Sequence, residues 1–246
     1  MSDLAGQLHW DSREGIVRPR LPSRLNAAVG DITDLLSRFI QPGASVLEVG
    51  CAPGKYLLWC AKAARARVSG VEYAPESFHR TSTLFDDVGV VADLRLEDFL
   101  RTTFKPATFD LVYSLGVIEH FTGDALLEMV RKHLDLVKPE GTALLVIPNF
   151  GNPLYGRIQR FLDPENLGIH NIDIMTCAAL AKLAPNGVTA KAYHYGRLTP
   201  WILSLDKKMP KTMAFALSAS INAMGLLQPI TVDALSPWLV LELTRG

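Results

Sequence analysis

Val46 to Lys55 reads VLEVGCAPGK, a run of buried-strand residues that passes directly into a turn holding Gly50 and Gly54 and then opens a helix. Few arrangements accommodate that order. A strand that is apolar on both faces belongs inside a parallel sheet. Glycine at its exit lets backbone approach a ligand, while the first amides of the next helix point toward that ligand. A turn of this kind is equally at home as a tight strand-to-helix connection that binds nothing, so the rest of the chain decides its meaning.

From Arg24 onward short β-branched runs alternate with segments of helical spacing, the pattern of successive βα units on a parallel sheet. Ala28, Ile32, Leu35, Leu36 and Phe39 predict a helix over Asn26 to Ile40, stopped by QPG at 41–43. Strands are expected at 45–50, 67–73, 88–93, 108–116 and 142–149, with helices over Tyr56 to Ala66, Pro75 to Leu84 and Gly123 to Val137. Residues 151–171 lose this regularity and read as an aromatic, basic functional loop. A helix over Ile174 to Leu183 and strands at 188–195 and 237–244 complete the pattern. The fold class is α/β: a Rossmann-like, seven-stranded, mostly parallel sheet with one antiparallel strand, helices on both faces and a cap over the site.

With 246 residues the chain forms one domain. Residues 1–23 make an N-terminal segment, 24–149 a cofactor-binding half, and 150–187 and 196–236 substrate-facing insertions. Lys plus Arg balance Asp plus Glu at 25 each, which leaves no basic field to gather nucleic acid. Cys51, Cys60 and Cys177 have no CxxC spacing, so neither a disulfide framework nor a structural zinc site is expected, and a reducing cytoplasm fits. The first 15 residues lack the apolar core of a secretory signal. Thr212 to Val232 carries no charge and is about long enough to span a bilayer, but Ser218, Ser220, Asn222, Gln228 and Pro229 make it too polar. It reads as a buried or cavity-lining helix, with a dimer contact or a helix lying on a membrane surface as alternatives. Monomer and homodimer both stay open.

Glu72 lies 24 residues after Glu48, at the end of the second strand, where a carboxylate accepts from both hydroxyls of an adenosine ribose. Together with the glycine turn it makes the chain resemble the class I S-adenosylmethionine-dependent methyltransferases over about Arg24 to Asn149. That family's motif is acidic, any, Gly, any, Gly, any, Gly; here it reads Glu48, Val49, Gly50, Cys51, Ala52, Pro53, Gly54, with Ala52 as the departure. The resemblance implies that Glu48 orients the amino end of the cofactor's methionine and that the backbone of Gly50, Cys51, Ala52 and Gly54 lines its sulfur side. It assigns Glu72, with Tyr73, to the ribose and Asp93, with Leu94, to the adenine. FDLVYSLGVIEHF, 109–121, resembles the fourth strand and its loop, bringing Ser114 and Leu115 to the cofactor and Glu119 and His120 to the chemistry.

The resemblance implies transfer of the sulfonium methyl group to a hydroxyl or amine of a small molecule, with S-adenosylhomocysteine as product and secondary-metabolite, sugar or quinone and lipid biosynthesis as the setting. His120 is the candidate base or positioning residue, with Glu119 orienting it. Ubiquinone-type O-methyltransferases add a third acid three residues before that Glu to hold a divalent metal; here the position is Gly116, so no metal is expected unless a ligand from elsewhere in the chain substitutes. Tyr155, Arg157, Arg160, His170 and Asn171 are the candidate acceptor contacts, the two arginines suiting a carboxylate or phosphate. A nicotinamide-dependent oxidoreductase and a non-catalytic S-adenosylmethionine-binding module are the rival readings.

Overall fold

A computed structural model describes residues 25–229 and 231–245; the N-terminal segment before Leu25, and with it the reading of the first 15 residues, lies outside them. The chain runs α1 (Ala27–Ser37), β1 (Ser45–Val49), α2 (Lys55–Lys62), β2 (Arg67–Glu72), α3 (Pro75–Asp87), β3 (Asp93–Leu96), β4 (Phe109–Leu115), α4 (Gly123–Leu136) and β5 (Val137–Pro148). It continues with α5 (Pro153–Leu162), α6 (Pro164–Gly168), α7 (Cys177–Ala181), β6 (Val188–Tyr195), α8 (Lys211–Leu227) and β7 (Trp238–Arg245). The strands form one seven-stranded sheet in the order β3-β2-β1-β4-β5-β7-β6. Strands β1 to β5 pair in parallel, and β7 runs antiparallel to both β5 and β6. The expected architecture is the observed one.

Residue alternation along the central strands divides the core into two layers. Leu47, Val49, Val112, Leu145 and Leu241 pack with α4 through Leu126, Met129, Val130 and Leu134. Val46, Leu111, Tyr113, Val146 and Val240 face the other way, against Ile32 and Leu35 of α1, Leu57 and Leu58 of α2 and Phe85 of α3. Apolar residues on both sides of a strand need cover on both sides, and helices supply it.

Two sequence expectations are corrected. The apolar run 88–93 is not a strand: α3 reaches Asp87, and Gly89 at φ +61 ends it while the Val90 amide donates to Phe85 O at 3.0 Å. Those β-branched residues are consumed by a helix C-terminus, leaving Val91 96% exposed, and the strand begins only at Asp93. The irregular stretch after Asn149 is helical, because Asn152 caps α5 by accepting from the Leu154 amide and Asp163 caps α6 by accepting from Asn166, each with proline next. Asn and Asp followed by Pro start helices as readily as they make loops.

The uncharged segment is also corrected. α8 is neither buried nor lining the cavity described below: Met213, Phe215, Leu217, Met224 and Leu227 are exposed, and only Ala214 and Gly225 are buried. Gly225 allows the approach, since a Cβ there would fall 2.0 Å from Leu198 O. Asn222 holds the helix to the start of α1, accepting from the Ala27 amide and donating to Leu25 O. Among the described residues no helix is long and apolar enough to cross a membrane.

His133 on α4 is fully buried against the Phe99 ring, its Nδ1 donating to Met129 O at 2.7 Å. Burial depresses its pKa to about 4. Between pH 6.5 and 4 the unfolded chain therefore binds a proton that the folded chain refuses, and stability falls as pH drops through that window. A shift of this size corresponds to roughly 3 kcal/mol. His133→Leu is expected to flatten the loss of unfolding midpoint between pH 6.5 and 4; parallel wild-type and mutant profiles would contradict this origin of acid sensitivity.

Candidate functional site

The sheet order reverses between β1 and β4, so the two connections leave in opposite directions and open a crevice at the carboxyl ends of the strands. A cavity of roughly 730 Å³ occupies that crevice. Gly50, Ala52 and Pro53 of the first turn, Glu72 and Tyr73 at the end of β2, and Leu115, Gly116 and Val117 after β4 all line it. The turn and the ribose-type carboxylate thus converge on one cleft.

Gly50 makes this convergence sterically feasible. It sits at φ +70, and a Cβ on it would lie 2.8 Å from Cγ2 of Val117, so any side chain would push the β1 and β4 loops apart. Its amide and that of Cys51 both donate to Val71 O, at 2.9 and 3.1 Å, fastening the turn to β2. Glu72, only 6% exposed, accepts from the amides of Tyr73 and Ala74 on Oε1 at 2.9 and 3.0 Å and from Ala52 on Oε2 at 3.4 Å. Backbone amides from two elements therefore fix this carboxylate at the cleft wall.

Glu48 is placed below the turn, not on the cavity. It neighbours Tyr113 across the β1–β4 register and is 4% exposed, and burial pushes its pKa up to about 8 against the opposing Tyr113 hydroxyl and Leu57 amide. Cys51 also turns into the core, where Gly70 leaves room for its Sγ, and Gly54 opens α2 at φ +84 beneath the cavity rim. Ser114 is buried under the site, while its neighbour Leu115 reaches the wall.

The strand correction also moves Asp93 relative to the cleft. Asp93 starts β3 instead of standing beyond it, is exposed and pairs with Arg95 at 2.8 Å; Leu94 packs over Gly70. Immediately after β3 come Glu97, Asp98 and Phe99, all on the cavity wall, with the Glu97 amide bonded to Glu72 O at 3.0 Å. The Glu97 carboxylate is taken by Thr102 and Thr103, and Asp98, on the cavity wall beyond β3, accepts from the Leu100 amide on Oδ1. The sequence carried the signal in LEDF, which the misplaced strand hid.

At the opposite end Glu119 and His120 reach the cavity from the loop after β4. His120 Nδ1 lies 2.9 Å from Ile169 O, and the Asn171 amide and side chain bond to Glu119 O and Phe121 O. These bonds stitch 169–171 to 119–121 and bring His170 beside His120, ring centroids 4.8 Å apart. Glu119 is 1% exposed, neither of its oxygens has a hydrogen-bond partner among the described residues, and burial pushes its pKa up to about 8. A buried polar group left unpaired costs on the order of 1–3 kcal/mol.

Of the five acceptor candidates, only His170 lines the cavity. Tyr155 is a buried strut, its hydroxyl donating to Leu235 O at 2.8 Å and accepting from the Thr199 amide. Asn171 fastens the loop as above, and Arg157 and Arg160 are exposed on α5, away from the cavity. Helical periodicity explains this, since positions 155, 159 and 162 point inward and 157 and 160 do not. The rest of the wall comes from Trp201, Ile202 and Leu203, the last two unmarked in the sequence reading, with Ser204 held by two bonds to buried Gln159. Asp31 of α1 clamps the start of that segment through the Arg197 amide and guanidinium at 2.6 and 2.7 Å. Lys55 sits over the rings of Tyr56 and Trp201.

Gly50→Ala is expected to cost more stability than Gly43→Ala, because both residues have positive φ but a Cβ at 43 meets nothing within 4 Å. The strain alone is worth about 1–2 kcal/mol, and each further kcal/mol lowers the unfolding midpoint by about 2–4 °C in a chain of this size. Equal midpoints for the two variants would show that the Val117 contact does not hold the turn.

Comparison with known proteins agrees with this fold. Residues 46–141 match the family described as Methyltransferase domain. Over 111 residues, 45% of the chain and 33% of the relative, it is 29% identical to the 2-methyl-6-phytyl-1,4-hydroquinone methyltransferase of Synechocystis sp.. Over 104 residues, 40% of the chain and 42% of the relative, it is 34% identical to the ubiquinone biosynthesis O-methyltransferase of Neisseria meningitidis. The matched region thus spans between a third and about two fifths of these relatives' lengths. Among solved structures, Haemonchus contortus phosphoethanolamine N-methyltransferase 2, in complex with phosphomonomethylethanolamine and S-adenosylhomocysteine, superposes with a TM-score of 0.62 at 15% identity, covering 87% of this chain and 52% of the other. Residues 46–141 match the methyltransferase-domain family, and the chain has the fold of the class I, Rossmann-like S-adenosylmethionine-dependent methyltransferases.

Proposed function

We propose that the cavity binds S-adenosylmethionine and a small acceptor and transfers the sulfonium methyl group to a hydroxyl or amine. The observation that carries this reading is the convergence of the Gly50 turn, Glu72 and Asp98 on one cleft at the strand ends. Glu72 takes the ribose hydroxyls, Asp98 the adenine amino group with Phe99 beside the ring, and the backbone from Gly50 to Pro53 the methionine portion. Glu72, Glu97, Asp98, Glu119 and Asp206 supply carboxyl groups to the wall against the cations of Lys55 and Arg80, a balance suited to a sulfonium ligand.

The acceptor occupies the other end, between His170 and the segment from Trp201 to Leu203. The insertions at 150–187 and 196–236 serve there as its cover. Phe121, Phe150, Trp201 and Ile202 favour an apolar body, and the Glu119, His120 and His170 group handles the proton of its hydroxyl or amine. In the transfer the sulfur–methyl bond breaks as the bond from acceptor oxygen or nitrogen to that methyl forms in line. The sulfur keeps the electron pair and the acceptor gives up a proton. Holding the two reactants about 3–3.5 Å apart supplies much of the acceleration. Both arginines of α5 lie off the cavity, so neither is placed to meet an anionic acceptor.

Calorimetry with S-adenosylhomocysteine tests the cofactor assignment. Wild type is expected to bind, Glu72→Ala and Asp98→Ala to weaken binding tenfold or more, about 1.4 kcal/mol, and Asp93→Ala to leave it unchanged. A wild type that takes up no ligand, or Asp93→Ala weakening binding more than Asp98→Ala, would overturn it. With radiolabelled donor, phenolic and other apolar hydroxyl or amine acceptors are expected to take label ahead of polyanionic ones.

A further inference from the structure

Glu119, His120 and His170 each place one ligand atom within 4.8 Å of the other two. They come from separate elements, the loop after β4 and the residues following α6, and the bonds from Asn171 to Glu119 O and Phe121 O hold those elements together. The expectation of no metal turned on Gly116, but a third ligand reaches the Glu–His pair from the opposite wall. Gly116 leaves the space open, since a Cβ on it would lie 3.3 Å from Glu119 Oε1.

We propose that Glu119, His120 and His170 form a binding site for a divalent transition-metal ion of the zinc or cobalt class, with its remaining coordination positions facing the acceptor end of the cavity. The imidazoles are already oriented as ligands. His120 Nδ1 lies 2.9 Å from Ile169 O and His170 Nδ1 lies 2.6 Å from Asn166 O. A carbonyl oxygen can only accept, so each ring carries its proton on Nδ1 and offers its lone pair at Nε2, the arrangement that outer hydrogen bonds impose on metal-binding histidines. The Phe150 ring meets His170 edge-on at 5.1 Å and fixes its plane.

The carboxylate supplies the second, independent indication. Glu119 is 1% exposed and both of its oxygens lack hydrogen-bond partners among the described residues, in a molecule whose other buried carboxylate at the cleft, Glu72, accepts from three amides. A cation between the three side chains satisfies it. His120 Nε2 and Glu119 Oε1 stand 3.9 Å apart, within the span of two metal–ligand bonds of about 2.0–2.2 Å. The widest separation, 4.8 Å, requires a closure of several tenths of an ångström. Two nitrogens and one oxygen favour borderline ions over magnesium or calcium, which take all-oxygen sets.

The site is defined without reference to the cofactor, and so is its test. Full-length protein stripped with chelator and dialysed is titrated with Zn²⁺ in the presence of a competing chromophoric chelator, and separately with Co²⁺ monitored by visible absorption. One equivalent of Zn²⁺ at micromolar concentration or below is expected, with Co²⁺ absorption that Zn²⁺ abolishes. His170→Ala and Glu119→Gln should each weaken uptake at least tenfold. If Glu119→Gln does not fold, His170→Ala and His170→Phe, checked by circular dichroism, decide alone. Wild type without uptake below millimolar Zn²⁺, or uptake unchanged in the His170 variants, would overturn the site. Calorimetry with S-adenosylhomocysteine on the same stripped protein keeps the two readings apart, since either ligand can bind while the other fails.

Discussion

The contact on which the site depends is the approach of the β1 exit to the β4 exit, backbone of Gly50 against the side chain of Val117, where the order of the parallel strands reverses. Any side chain at position 50 would wedge the two loops apart. With the loops together, the Cys51 and Gly50 amides reach Val71 O, the Ala52 amide reaches Glu72, and the Glu97 amide closes on Glu72 O. Three strand ends are thereby locked into one rim by backbone groups, which have little conformational freedom to lose and make a rigid frame for a ligand.

Around this frame the polar groups divide by how they meet the cost of burial. Glu72 is stabilised by amides, whereas Glu48, a few residues away in space, lies under the turn and is driven toward its neutral form. Glu119 is driven the same way with no hydrogen-bond partner for its carboxyl oxygens among the described residues. Rising pH therefore destabilises the fold through Glu48 and Glu119 between the ordinary carboxyl range and about 8, because the unfolded chain has already released those protons. Sites that keep such a cost in a cleft are where ligand binding has most to gain.

The sheet was legible because both faces of its central strands are buried, so VLEV, DLVY and LLVI stand out as apolar runs whatever surrounds them. The glycine turn and Glu72 were legible for the same reason, being tied to strand ends. The position of Asp98 on the cavity wall was hidden by one misread segment: VGVV has strand-forming residues but serves to end α3, and the slip put the end of β3 at Asp93. The acceptor wall was less accessible still. Whether Arg157 or Gln159 faces inward depends on where α5 begins, and that is set by the Asn152 cap, a residue equally common in loops. His170 was marked in the sequence, but Ile202 and Leu203 are brought to the cavity by tertiary bonds from Asp31 and Gln159, which no local pattern announces.

The central claim is that the Gly50 turn, Glu72 and Asp98 surround a single nucleoside. A crystal structure of the protein grown with S-adenosylhomocysteine addresses it most directly. The account predicts both ribose hydroxyls within hydrogen-bond distance of the Glu72 carboxylate, the adenine amino group on Asp98, and the sulfur facing the end of the cleft that holds His120. A nucleoside bound elsewhere, or turned so that its ribose contacts neither Glu72 nor the Gly50 turn, would contradict it.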